Sequence, residues 1–288
     1  MALRINYNLA SSVAQRSLGS SQENYARQAE RLATGLRINK AGDDAAGMAI
    51  SERLKNQVRG LNQAQRNAQD GISLIQTAEG AMGEAHTILA RMRELAVQAA
   101  SDTISNGDRT NILTEFTSLY VEIDRIATST QFNGVAVLTG GSTALKLQIG
   151  ANSNDPLVND NVISLNVTPG VTTLSGSFYA SVLSPTMTDM GVTSQSLANL
   201  AISTLDAAIN AVSTARTSIG SMQSRLESVS RSLAVASENA AAANSRIADA
   251  DIASSMSELV RAQILQQAGI SVLAQANQAP SLVLQLLK

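Results

Sequence analysis

Residues 54–96 read LKNQVRGLNQAQRNAQDGISLIQTAEGAMGEAHTILARMRELA, and a step of seven through them lands on Leu54, Leu61, Ala68, Ile75, Met82, Leu89 and Ala96. A second series of equal length, Leu205, Val212, Ile219, Leu226, Leu233, Ala240 and Ile247, runs near the other end of the chain. A seven-residue apolar repeat keeps one seam on one side of a slightly underwound helix, and such a seam needs a partner. Two equal seams far apart in sequence pair most simply with each other, as an antiparallel coiled-coil hairpin with both tails at the same end. Companion positions three or four residues on support this: Val58, Ile72, Ala78 and Met92 in the first series, Ile209, Met222, Val229 and Ala236 in the second.

Composition agrees with a thin helical rod. Hydrophobic residues make up 44% of the 288, but aromatic ones only 2%, with no Trp. The apolar content is mostly Ala, Leu, Ile and Val, which suits close helix packing and fills a thick core poorly. A net charge of -2 argues against a nucleic acid or an anionic membrane recognised by bulk charge. The absence of Cys removes disulfides, thiolate metal sites and cysteine nucleophiles together. The opening residues, Met1 to Asn8, lack the apolar stretch of about 7 to 15 residues that a cleaved secretory signal requires, so export would take another route. The uncharged run from Ile264 to Leu287 is long enough on paper to span a bilayer. Gln266, Gln267, Gln275, Asn277 and Gln278 interrupt it, and each amide would need a partner in hydrocarbon. A helix buried against protein is expected there, with no membrane insertion.

Along the chain, Ala10 to Arg37 reads as helix, with Leu18, Tyr25 and Leu32 spaced by seven. Gly42-Asp43-Asp44 is a start signal for the long helix, because a carboxylate there accepts from exposed backbone donors and favours the dipole. That helix is expected over 43–100, a rod of ~80 Å at ~1.5 Å per residue. A turn at Asn106-Gly107 leads to a helix over 108–128 carrying Ile112, Phe116, Leu119, Ile123 and Ile126. A β-rich excursion follows over 134–192, with strands at Ala144 to Ile149 and Val162 to Val167 and with Asn154, Asp155 and Pro156 in their loop. Helix returns over 195–250, and 251–288 is apolar with amide interruptions. The chain thus divides into 1–42, 43–250 and 251–288. Neither tail has a core that offsets the entropy of ordering it, so both are expected to be disordered alone and helical once neighbouring copies cover them.

Several stretches resemble bacterial flagellin. They are Arg31-Leu32-Ala33-Thr34-Gly35-Leu36-Arg37-Ile38-Asn39 with Asp43-Asp44-Ala45-Ala46-Gly47-Met48-Ala49-Ile50-Ser51, then Thr130-Gln131-Phe132-Asn133-Gly134, and Leu147-Gln148-Ile149-Gly150-Ala151-Asn152. Near the C-terminus, Ser245-Arg246-Ile247, Asp249-Ala250-Asp251, Ala262 to Gly269 and Val272 to Gln278 match as well. Lys40-Ala41-Gly42 departs from the commoner order before the paired aspartates, and the middle is short, as in a minimal form without large outer domains.

The resemblance implies a mainly α protein whose terminal helices pair as an inner-tube coiled coil inside an outer layer of rods, many copies forming a hollow helical filament outside the cell for motility. It implies unfolded export by the flagellar type III apparatus, with an export chaperone, the filament cap and hook-filament junction proteins as partners. Leu18, Tyr25, Leu32, Ile264, Leu265 and Leu273 are the expected self-assembly positions. A hook-filament junction protein is the nearest alternative. A membrane-attached signalling coiled coil is a further one, and it would need a spanning segment.

No enzymatic reading survives inspection. Flagellins that carry a zinc peptidase use two histidines on one helix, whereas His86 is the one His of this chain. A phosphate loop ending in Gly-Lys is absent too, and no cofactor is expected. The resemblance also carries over a possible contact with the flagellin-sensing Toll-like receptor of animal hosts. Arg91, Leu95 and Glu115 fall at the motif positions, within Arg91-Met92-Arg93-Glu94-Leu95-Ala96-Val97-Gln98, and are expected on one surface. The same residues could equally make subunit contacts in a filament.

Overall fold

A computed structural model describes residues 8–138, 145–152, 161–165 and 192–286. Five helices hold most of them: α1 Leu9–Thr34, α2 Ala45–Ala99, α3 Asn106–Ser129, α4 Gln195–Ala248 and α5 Ile252–Leu286. Four short strands complete the set: β1 Gln131–Phe132, β2 Val135–Ala136, β3 Leu145–Gln148 and β4 Val162–Leu165. The fold is mainly α with a small β part. The expected loop residues Asn154, Asp155 and Pro156 lie outside the described residues. The chain forms two compact units, 59–237 and 1–58 with 238–288.

In the unit of 59–237, α2 and α4 run antiparallel. Asn62 accepts from the Ser237 hydroxyl, Glu79 pairs with Arg216 and Arg93 with Asp206, so numbers rise along one helix as they fall along the other. The heptad seam is the core: Ala68, Ile75, Met82, Leu89 and Ala96 face Leu205, Val212, Ile219 and Leu226, all nearly sealed from solvent. Helix α3 packs onto this pair through Ile112, Phe116 and Ile123. Its approach is fixed by Arg109, a buried cation whose Nε donates to the Ala99 carbonyl (3.0 Å) and whose Nη2 donates to that of Ser101 (3.0 Å). The Ala99 carbonyl ends α2 and has no helical partner of its own, so the guanidinium satisfies it and favours the dipole, while the Ser101 carbonyl, in the turn beyond, also accepts from the Ile104 amide (3.4 Å). Ser105 caps α3 by accepting from the Asp108 amide (3.3 Å).

Strands β3 and β4 pair antiparallel with Leu147 opposite Ile163. They lie over α2, where Asn67 donates to the Gln148 carbonyl (2.9 Å) and Gly71 leaves the space that Leu147 occupies. A side chain at Gly71 would overlap Leu147. Strands β1 and β2 form a second hairpin around Asn133-Gly134, both with positive φ (50° and 76°), as a two-residue turn between twisted strands requires.

In the other unit, α1 and α5 pair antiparallel. Asn8 donates to the Ala276 carbonyl (2.8 Å), Ser11 to the Asn277 side chain (2.8 Å), and Leu18 lies against Gly269. Helix α1 stops at Gly35, whose φ of 71° suits glycine, and its amide bonds back to the Arg31 carbonyl. The two linkers then bridge each other. Arg37 donates its amide to Ala248 (2.7 Å) and its Nη2 to Ile247 (2.7 Å), while Ala250 donates to Gly35 (2.9 Å). Asp43 accepts from the Asn39 and Lys40 amides, and Asp44 caps α2 by accepting from Gly47 (2.8 Å).

Both tails are helical and paired with each other, as the resemblance implies, and the cover is thin: no residue of α1 is buried.

Candidate functional site

Nothing among the described residues gathers into a metal site, and none of their helices is long and apolar enough to cross a membrane. His86 is half-buried with its Nδ1 enclosed and unbonded, beside the seam residues Met82 and Leu89. Two surfaces remain.

The first is on the tails. Among the expected assembly residues, Leu18, Tyr25, Leu32 and Leu273 are half-buried, whereas Ile264 and Leu265 are 59% and 51% exposed. They are not alone. Ile252, Met256 and Val260 precede them at four-residue steps, and Ile270 and Val272 follow, all exposed. On α1, Leu9 and Val13 are exposed as well. A helix in water normally keeps its apolar stripe to one side, whereas α5 carries aliphatic residues all round, the pattern of a helix meant to be enclosed. One neighbour, α1, covers only part of it.

The second surface surrounds Arg91. Its Nη2 and Nε both donate to Glu115 Oε1 (2.8 and 3.0 Å), and its Nη1 donates to Glu94 Oε2 (3.0 Å). Glu115 first, then Glu94, holds the guanidinium proton more tightly than usual. The cluster is open to solvent on α2 and α3. The structure thus brings Arg91 and Glu115 together and adds Glu94, which stands three residues on along the same helix face.

Leu95 does not share this surface. It is 2% exposed and belongs to the core. Leu89, Met92 and Ala96 mark the seam, and Leu95 is buried beside it, in the same core cluster as Ile112 and Phe116 of α3. The placement of all three motif residues on one face is corrected to a pair, with the leucine beneath it.

What these elements define is a helical protein of structural, self-associating type. Comparison with known proteins gives the family. The model of the bacterial flagellin N-terminal helical region matches residues 5–143, and that of the bacterial flagellin C-terminal helical region matches 202–287. A flagellin of Halalkalibacterium halodurans is 45% identical over 284 residues, 99% of each chain. The flagellar filament 30.7 kDa core protein of Treponema maltophilum is 40% identical over 98% of this chain and 99% of its own. The crystal structure of Bacillus cereus flagellin aligns over 58% of this chain and 88% of its own, at 29% identity and a TM-score of 0.47. The chain belongs to the bacterial flagellin family, in a minimal form. It is a subunit of the self-polymerising extracellular flagellar filament and not an enzyme.

Proposed function

We propose that each subunit joins the filament through its paired tails. Leu18, Tyr25, Leu32 and Leu273 hold α1 to α5 within a chain, and Ile264 and Leu265, with the rest of the exposed aliphatic row on α5, pack against further copies. The observation that carries this reading is that row itself: large apolar side chains which a single chain leaves in water, on a helix with few charges. Seeded elongation followed by light scattering and electron microscopy tests it. A chain with Ile264→Asp and Leu265→Asp is expected to stay monomeric on wild-type seeds, and so is a fragment spanning 41–251. Normal filaments from either would remove the tails as the assembly element.

Family membership extends the reading to unfolded export by the flagellar type III apparatus and to an export chaperone, the filament cap and the hook-filament junction proteins as partners.

A second reading is supported by the solvent-open Arg91–Glu115 pair, which offers a host Toll-like receptor a charged contact in the free monomer. Helix faces of this kind are also available to a neighbouring subunit. Reporter cells exposed to monomer should respond more than cells given cross-linked filament, and Arg91→Ala should weaken the monomer response. Equal responses to both forms would place the pair outside any filament contact.

A further inference from the structure

The exposed row on α5 holds one side chain whose chemistry differs from the rest. Ile252, Met256, Val260 and Ile264 follow one another at four-residue steps, and each stands about half in water. Ser255, Leu259 and Ala262 form the covered face of the same stretch, Ser255 and Ala262 buried and Leu259 half-buried. Met256 and Val260 each stand one residue past a covered one, ~100° further round the helix, and so turn away from that cover. Isoleucine and valine are saturated hydrocarbon and inert to a mild oxidant. Met256 carries a thioether, whose sulfur is not.

Position separates this sulfur from the others. Among the described residues Met256 is the one exposed methionine: Met82 and Met92 are fully buried in the α2 seam, and Met48 and Met222 are half-buried. Met1, Met187 and Met190 lie outside the described residues. A dissolved oxidant meeting a free subunit therefore reaches Met256 while Met82 and Met92 stay sealed. Packing of α5 against further copies encloses Met256 and removes that access.

We infer that Met256 is a modification site at which a peroxide switches off the growth surface of a free subunit, a control that rests on the reading of α5 as the surface that packs against further copies. The Sδ lone pair attacks one oxygen of hydrogen peroxide, an S–O bond forms as the O–O bond breaks, and the second oxygen leaves as water after proton transfer. Sulfur gives up two electrons and the peroxide takes them. The sulfoxide places a strongly polar acceptor between Ile252 and Val260, where the row has no donor to meet it. Burying it against another copy leaves that acceptor unpaired. Sulfoxide reductases return the thioether, so an oxidised subunit is set aside and can be recovered.

The test uses full-length chains treated with hydrogen peroxide, mapped by peptide mass spectrometry and then followed in seeded elongation on untreated seeds. In wild-type monomer Met256 should gain one oxygen while Met82 and Met92 stay reduced, and in preformed filaments Met256 should be protected. Oxidised wild-type monomer should elongate about tenfold more slowly, the size of effect an unpaired buried acceptor produces. Met256→Leu, a volume-conserving change at an exposed position, should grow at the untreated rate after the same exposure. Treatment of oxidised wild type with the two reductases, one for each sulfoxide epimer, should restore growth. An unchanged urea midpoint of the oxidised monomer shows that folding is not the variable. The inference is overturned by a Met256 that stays reduced in the treated monomer, by equal oxidation in monomer and filament, by growth at the untreated rate with Met256 fully oxidised, or by a Met256→Leu chain slowed as much as wild type. The chain with Ile264→Asp and Leu265→Asp, run beside it, separates this from the tail reading: it should fail to grow with or without peroxide, and normal growth would count against the tails themselves.

Discussion

The α2–α4 pair and the α1–α5 pair share one arrangement, two antiparallel helices joined by side-chain contacts, and end in different conditions. Along α2 and α4 nearly every seam position is sealed, because α3 and the β3–β4 hairpin close the flanks that two helices leave open. Along α1 and α5 a row of aliphatic side chains stays in water, and α1 has no buried residue at all. Pairing alone therefore does not make a core. Two helices bury one stripe each, and whatever apolar surface lies beyond that stripe waits for another neighbour.

The largest expected effect tests the sealed pair. Leu226 is fully enclosed, so Leu226→Asp should lower the unfolding free energy by about 4 kcal/mol, read from the urea midpoint of the monomer. Ile264→Asp, on the open pair, should shift the same monomer by no more than about 0.5 kcal/mol. Similar losses from both would erase the distinction between the two pairs.

A smaller contrast lies within one helix, between Leu95 and Arg91. Leu95→Ala should cost about 2–4 kcal/mol of monomer stability, since it empties a packed site in the core. Arg91→Ala should leave the urea midpoint almost unmoved, its partners being exposed carboxylates. An unchanged midpoint for Leu95→Ala would mean that this side chain faces outward after all.

The smallest effect belongs to the linker. Backbone hydrogen bonds, that from Lys40 first and that from Asn39 next, hold the Asp43 carboxyl below the ordinary carboxylate range. A depressed folded-state value means the stabilisation is present in full above the unfolded value and disappears as pH falls through the folded one. The amide resonances of Asn39 and Lys40 should accordingly titrate below the usual carboxylate range. In Asp43→Asn they should not titrate there at all.

The sequence made the sealed pair legible because a heptad seam is periodic: Ile75, Met82, Leu89, Leu205, Val212, Ile219 and Leu226 were readable from spacing and are all buried. It was less informative wherever a third element decides. Leu74 and Leu95 sit beside the seam, not on it, and are buried because other elements of the cluster close that flank, which a two-helix pattern does not encode. A motif carried over by resemblance likewise fixes position and not orientation, so Leu95 was expected outside. The β1–β2 hairpin had a local signal, the Asn133-Gly134 turn, but strands of two residues are too short for alternation to show. The pairing of the tails was implied by the resemblance, but its register was not: neither tail carries a seam regular enough to align them, and the bond of Asn8 to Ala276 sets it.

That bond joins residues 268 positions apart. Helices α1 and α5 are thus neighbours in space and strangers in sequence. A copy that loses either helix strips the cover from the other, so the two tails stand or fall together as one surface, and damage to one is felt on both.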